Sequence, residues 1–101
     1  MLYKVVETPE VKRDLLEALD YIELVLDSPS GAATLASSYI NVLENLKHFT
    51  NMYPAAREPR LRRLAYRKAQ AESYLVLYRM TERTVYISHL FHQSQDYTKL
   101  V

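Results

Sequence analysis

The residues of this chain best suited to chemistry lie between Ser73 and Gln93, where two runs of β-branched and aromatic residues flank a polar break. Arg79 lies in the first run, and His89 and His92 lie in the second. Histidine is the side chain that transfers protons near neutral pH. The planar guanidinium of arginine matches two oxygens of a phosphate group. Together these residues could bind an anion and move a proton beside it.

The two runs have the composition of β-strands joined by a tight turn at residues 81–83. Side chains alternate between the two faces of a strand, so Arg79 is predicted to share a face with Leu77. In the second run, the same alternation places His89 on the face presumed to meet the core and His92 on the opposite face. We therefore interpret His89 as a core histidine, whereas His92 lies on the other face of the strand.

A basic cluster precedes these strands: Arg62, Arg63, Arg67 and Lys68. Such a dense group of cations favours contact with a polyanion or with an acidic partner. In a strand, Arg62 and Lys68 would oppose Arg63 and Arg67, so only one pair could face a ligand. Tyr97, in the polar tail, could stack on an unpaired base. The alternative is that the cations are solvated side chains whose stems cover apolar surface.

The composition predicts one globular domain over residues 1–101, with 49% hydrophobic and 25% charged residues. The chain has no cysteine, which excludes disulfides and thiolate metal sites, and no carboxylate stands at ligand spacing from the histidines. We therefore expect no metal and no other cofactor. No apolar run is long enough to span a membrane and no secretory signal is visible, so we expect a cytoplasmic location without membrane contact.

Charge is unevenly distributed along the chain, although the net charge is only +1. Residues 1–56 contain four basic and eight acidic residues, a net charge of −4. Residues 57–101 contain nine basic and four acidic residues, a net charge of +5. A basic C-terminal half suggests that this half meets the polyanion or acidic partner.

Two amphipathic helices are predicted in the first half of the chain. Thr8 is suited to cap the first, whose apolar residues recur at spacings of three and four over about 18 residues, to Leu26. Residues 27–31 contain the only glycine and break the pattern. The buried stripe of the second helix then ends at Phe49, before a loop that begins at Pro54. So short a connection favours an antiparallel helical hairpin.

The predicted fold class is α+β, with the element order β-α-α-β-β-β. A short strand over residues 2–6 precedes the helices, and alternation predicts a strand over residues 60–69, followed by a turn at residues 70–72. Two helices that pair with each other can cover only one face of a small, mainly antiparallel sheet. The other face should remain open as a shallow, partly apolar, basic floor.

Several short motifs occur in order along nearly the whole chain: Ser30-Gly-Ala-Ala33, Arg62-Arg63-Leu64, Tyr74-Leu-Val-Leu-Tyr-Arg79-Met80 and Val85-Tyr-Ile-Ser-His-Leu-Phe-His92-Gln-Ser-Gln-Asp96. In this order and spacing they resemble the RelE/ParE superfamily of bacterial toxins, the plasmid stabilisation family of toxin–antitoxin modules. The resemblance implies a small α/β sheet with a helical hairpin on one side. It also implies a cognate antitoxin that wraps over the toxin and holds it inactive.

Two activities occur in this superfamily, and the motifs are shared by both branches. RelE-like members cut messenger RNA on the ribosome, whereas ParE-like members poison DNA gyrase. If the chain resembles the nucleases, His92 would be the acid or base, and Arg79 with the basic cluster would hold phosphate. The RelE-like phosphate-binding arginine corresponds to Leu75 here, which is a departure. Arg79 points to the same face four residues later in the strand and could replace it.

The favoured hypothesis is a metal-independent, ribosome-dependent endoribonuclease that arrests growth and is neutralised by an antitoxin. The alternatives are a non-enzymatic inhibitor of DNA gyrase and a degenerate module that only pairs with a partner. The structural alternatives for the candidate residues also stay open. His92 would then be an imidazole bonded to backbone at the sheet edge, and Arg79 would pair with Glu72, Glu82 or Asp96.

Overall fold

A computed structural model describes residues 2–48, 53–99 and 101, apart from the side chain of Tyr97. In chain order the elements are β1 (Lys4–Glu7), α1 (Pro9–Asp20), a π-helical turn (Tyr21–Val25), α2 (Pro29–His48), α3 (Pro59–Arg63), β2 (Arg67–Ala71), β3 (Tyr74–Thr81), β4 (Thr84–His92) and a 3₁₀ turn (Tyr97–Lys99). Within the described ranges, no helix combines the length and apolarity that a membrane crossing requires.

The strands form one sheet in the order β1-β4-β3-β2. β1 runs parallel to β4, and the other two pairs are antiparallel. The hairpin of α1 and α2 packs on one face, the helical face, where Leu35 and Tyr39 of α2 meet Val76 and Tyr78 of β3 in the main core. The predicted α+β class and helical hairpin are confirmed. The predicted last position of the buried stripe, Phe49, lies outside the described residues.

Thr8 joins the start of α1 to β4 at the point where β1 ends. Its hydroxyl oxygen accepts a hydrogen bond from the N–H of Val11 at 3.2 Å, which is the helix cap that the sequence predicts. The same hydroxyl donates towards the carbonyl oxygens of Ile87 at 2.9 Å and Ser88 at 3.1 Å. One side chain therefore satisfies groups of the helix and of the sheet.

Replacing Thr8 with valine should lower the free energy of unfolding by about 1–2 kcal/mol, because the shape is kept while the helix cap is lost. Urea unfolding would measure the change. Thr34→Val is the matched control, since the hydroxyl of Thr34 is exposed and donates only to the Ser30 carbonyl of its own helix. The control should cost less than about 0.5 kcal/mol. Equal losses in the two variants would contradict this role of Thr8.

The end of the first helix differs from the prediction. The α-helix ends at Asp20, and a wider π-helical turn continues to Val25. Because a π-helical turn holds more residues than an α-helical one, the residues at its end and just after it leave the stripe that faces the core. Val25 and Leu26, the last two residues of the predicted apolar pattern, are 66% and 55% exposed.

The predicted strand over residues 60–69 is wrong in its first half, where the chain forms α3. Pro59 suits the first position of a helix, and Leu61 is fully buried against Leu77 and Phe91 of the sheet. The strand begins only at Arg67 and continues to residue 71, so the following turn lies at residues 72–73 rather than 70–72.

The sheet face opposite the hairpin, the floor face, is partly covered by the chain itself. A second buried cluster forms there from Ala56, Leu61, Tyr66, Leu77 and Phe91, and Val101 packs against it. The predicted open floor is therefore reduced to a strip in which Arg79 and Tyr86 are exposed and His89 is half-buried. We call these three residues the floor strip.

Candidate functional site

A β-bulge in β4 determines which histidine lies on which face of the sheet. Leu77 of β3 pairs with His89, whereas the next β3 residue pairs with Ile87, which leaves Ser88 without a residue opposite it. An extra residue in one strand reverses the alternation of side chains beyond it. His89 therefore lies on the floor face with Leu77, and His92 lies on the helical face.

The bulge separates the two residues predicted to act together. The guanidinium carbon of Arg79 lies 4.5 Å from the ring centroid of Tyr66, on the floor face. The ring of His92 meets Tyr74 edge-on, with the centroids 5.2 Å apart, on the helical face. The prediction that His89 faces the main core is wrong, and His92 and Arg79 do not share a site.

His92 is held by the turn that follows β4. Its Nδ1 lies 2.7 Å from the hydroxyl of Ser94 and accepts a hydrogen bond from the Ser94 N–H at 3.1 Å. The backbone N–H of His92 donates to Oε1 of Gln95 at 2.8 Å. Because Nδ1 accepts, the ring proton of the neutral imidazole is on Nε2. This arrangement matches the structural alternative, an imidazole bonded to backbone at the end of the sheet.

Arg79 has no carboxylate within ion-pair distance among the residues that the structure describes. The acids predicted as alternative partners are engaged elsewhere in two cases: Glu72 accepts a hydrogen bond from Ser38 at 2.5 Å, and Asp96 pairs with Lys99 at 3.3 Å. The guanidinium of Arg79 instead lies over an aromatic ring, a cation–π contact. Its exposed N–H groups can therefore bind an anion from solvent.

His89 completes an aromatic group beside Arg79. Its ring stacks on Phe91, with the centroids 5.4 Å apart and the planes 13° from parallel. The ring centroid of Tyr66 lies 6.2 Å from that of His89. The floor face thus brings together one imidazole, one guanidinium and aromatic rings.

Burial lowers the pKa of His89 below its ordinary value of 6.5, while Asp14 and Glu10 act against this shift and Arg79 adds to it. His89 is therefore neutral at pH 7 and can accept a proton. Sequence reasoning missed this residue as a site candidate. Its only signal was Ser88, a small polar residue within an apolar run, which is compatible with a bulge but does not require one.

The predicted basic cluster divides into two parts. Arg67 donates from Nη1 to the carbonyl oxygen of Tyr53 at 2.7 Å, and Lys68 pairs with Glu58 at 3.1 Å. These two cations hold β2 to the preceding loop. The other two are exposed on α3: Arg62 and Arg63. The predicted alternation of the four is wrong, because α3 is helical.

Two further predictions concern a base-stacking tyrosine and the absence of a metal. The side chain of Tyr97 lies outside the described residues. Among those that are described, no three histidine, aspartate or glutamate side chains are placed to hold a metal ion.

Comparisons with known proteins agree with this fold. The family model described as the ParE toxin of type II toxin–antitoxin systems, parDE, matches residues 5–97. A chain of the chromosomal ParDE system from P. aeruginosa superposes with a TM-score of 0.66 at 16% identity, over 90% of this chain and 96% of that one.

A chain of the RelBE2 toxin–antitoxin complex from Mycobacterium tuberculosis superposes with a TM-score of 0.62 at 22% identity, over 91% of this chain and 99% of that one. No curated protein matches the chain by sequence. Because the family model spans most of the chain, from β1 to the 3₁₀ turn, the resemblance seen in the sequence motifs is confirmed. The chain belongs to the ParE toxin family of type II toxin–antitoxin systems.

Proposed function

We propose that this toxin arrests growth by binding its target rather than by cutting RNA, and that the target is DNA gyrase. The observation that carries the proposal is the separation of His92 and Arg79 by the sheet. A metal-free ribonuclease needs a base, a phosphate-binding cation and an acid around one substrate atom. The residues that would supply them by resemblance to the nucleases lie on opposite faces.

Two further observations support the same function. Leu75 stands where RelE-like nucleases carry a phosphate-binding arginine. The family model that matches the chain is described as the ParE toxin of the parDE system. We also expect a cognate antitoxin as the partner that holds the toxin inactive, since both structural neighbours come from toxin–antitoxin systems.

Ribosome-dependent cleavage of messenger RNA remains the second candidate, because the bulge brings His89 to the same face as Arg79. A neutral imidazole could take the 2′-hydroxyl proton, and the guanidinium could hold the phosphate. This pair supplies two of the three parts that cleavage needs.

Three alanine variants separate the two functions: His89→Ala, Arg79→Ala and His92→Ala. If the toxin binds gyrase, each variant should still arrest growth when produced without antitoxin, with DNA damage and intact transcripts. The purified wild type should inhibit DNA supercoiling by gyrase and leave ribosome-bound messenger RNA uncut.

Circular dichroism and retention of antitoxin binding would show that each variant is folded. Cleaved transcripts in the wild type, together with relief of arrest in His89→Ala and Arg79→Ala but not in His92→Ala, would refute the proposal and establish the nuclease.

A further inference from the structure

Four exposed arginines are concentrated within residues 57–63, just before α3 and along it. They are Arg57, Arg60, Arg62 and Arg63, which we call the arginine segment. Among the described residues, none of the four has a carboxylate within ion-pair distance. The one acid inside the segment, Glu58, is paired with Lys68 at 3.1 Å. The positive charge of the segment is therefore not neutralised within the fold.

The way α3 is anchored directs these cations into solvent. Leu61 is fully buried on the floor face and fixes the orientation of the helix. Successive helix residues are rotated by about 100°, so Arg63 projects away from the sheet, with Arg60 and Arg62 on either side of it. A long hydrogen bond of 3.4 Å from Arg60 to the carbonyl oxygen of Thr98 ties the segment to the C-terminal turn. The guanidinium groups thus spread into solvent from a segment that the core and the C-terminal turn hold in place.

The opposite side of the molecule has the opposite charge. Two cations lie on α1, Lys12 and Arg13. They are outnumbered by the exposed or half-buried acids on α1 and the π-helical turn: Glu10, Asp14, Glu17, Asp20 and Glu23. A net charge of +1 therefore conceals a strongly dipolar surface. In the field of a polyanion, such a molecule turns its arginine segment towards the ligand and its helical hairpin away.

The surroundings of the segment favour a duplex over an unpaired strand or an acidic peptide. Proteins that bind single strands stack bases on exposed aromatic rings, but the neighbouring Tyr66 is only 4% exposed and lies beneath Arg79. Peptide interfaces depend on buried apolar anchors, and Leu61 of α3 is already used by the core. Among the described residues, α3 itself carries no exposed aromatic ring and no exposed large hydrophobic side chain. Arginines on such a helix suit phosphates read as charge.

We propose that the arginine segment binds the phosphate backbone of duplex DNA without reading its sequence. The inference rests on the proposed function, because an enzyme that acts on DNA presents a duplex beside the bound toxin. The toxin would then hold protein and DNA at once, with its basic end on the duplex. Contact with four phosphates predicts a salt dependence with a logarithmic slope of about −3.6.

Fluorescence anisotropy with a labelled DNA duplex and the purified full chain would test this. Between 50 and 200 mM salt, the wild-type affinity should fall about 150-fold, and that of the double variant Arg62→Gln, Arg63→Gln only about 12-fold, because two phosphate contacts are lost. The matched control, Lys12→Gln with Arg13→Gln, removes two adjacent exposed cations from α1 and should keep the wild-type slope.

Three outcomes would overturn the proposal. The first is an equal loss of affinity and slope in both double variants, which would indicate diffuse charge. The second is tighter binding to RNA, single- or double-stranded, than to duplex DNA. The third is tighter binding to poly-glutamate, which would assign the segment to an acidic protein. Because gyrase is absent from this assay, none of these three outcomes contradicts the proposed inhibition of gyrase. Intact DNA binding without inhibition of supercoiling would refute only the proposed target.

Discussion

Replacing Leu35 with alanine is expected to lower the free energy of unfolding by about 3 kcal/mol. Leu35 is 1% exposed and lies in the main core between α2 and the sheet. Its truncation removes buried apolar atoms and leaves a cavity that the closely packed neighbours can fill only in part. For a domain of this size, the melting temperature should fall by about 12–24 °C.

The control for this substitution is Leu16→Ala, the same chemical change at a helix position that is 63% exposed. It should cost less than about 0.5 kcal/mol. Urea unfolding of both variants would measure the difference, with an unchanged denaturant slope showing that only stability has changed. A small loss at Leu35, or a comparable loss at Leu16, would mean that the hairpin does not pack on the sheet as described.

The parts of the fold that the sequence predicts well are those with long, regular patterns. The apolar spacing of α1 and α2 extends over several turns, and Thr8 occupies the cap position that its residue type favours. Strands β3 and β4 are rich in β-branched and aromatic residues and lie two residues apart. Each of these signals is local, and each agrees with the tertiary packing.

The errors occur where an element is too short or too irregular to show its period. α3 is five residues long, so its side chains complete little more than one turn and resemble an alternating strand. The π-helical turn inserts extra backbone within an apolar pattern that continues through it. Neither feature carries a residue type that demands it, so both depend on tertiary contacts, such as the burial of Leu61.

The candidate site was predicted less well than the fold, because one bulged residue, Ser88, decides on which face of the sheet each histidine lies. The identity of His89 and His92 as the titratable groups of β4 was visible in the sequence, but their faces depend on whether Ser88 is paired. Because side chains alternate between the two faces of a strand, one inserted residue moves every later side chain to the other face. The bulge is accompanied by Thr8, whose hydroxyl reaches the Ser88 carbonyl from a position 80 residues away, and no local pattern reports that contact.

Raising the pH from 10 to 12 should destabilise the protein by about 2 kcal/mol through Tyr78 alone. Tyr78 is fully buried. Burial raises the pKa of Tyr78 from 10.0 to about 12, with the nearby charge of Arg67 acting in the opposite direction. The folded state thus keeps a proton that the unfolded state releases above pH 10, so the stabilisation is complete below pH 10 and is lost as the pH rises towards 12.

Tyr39 adds to this alkaline sensitivity at the junction of α2 and β1. Burial raises the pKa of Tyr39, as does the hydrogen bond of 2.7 Å that its hydroxyl donates to Glu7. The pH dependence of unfolding by urea would measure both residues. Tyr78→Phe and Tyr39→Phe should each flatten the decline above pH 10, whereas Tyr86→Phe, at a ring that is 40% exposed, should leave it as in the wild type. A decline that persists in the double variant Tyr39→Phe, Tyr78→Phe would show that other groups control alkaline unfolding, because neither buried phenol would then remain to lose its proton.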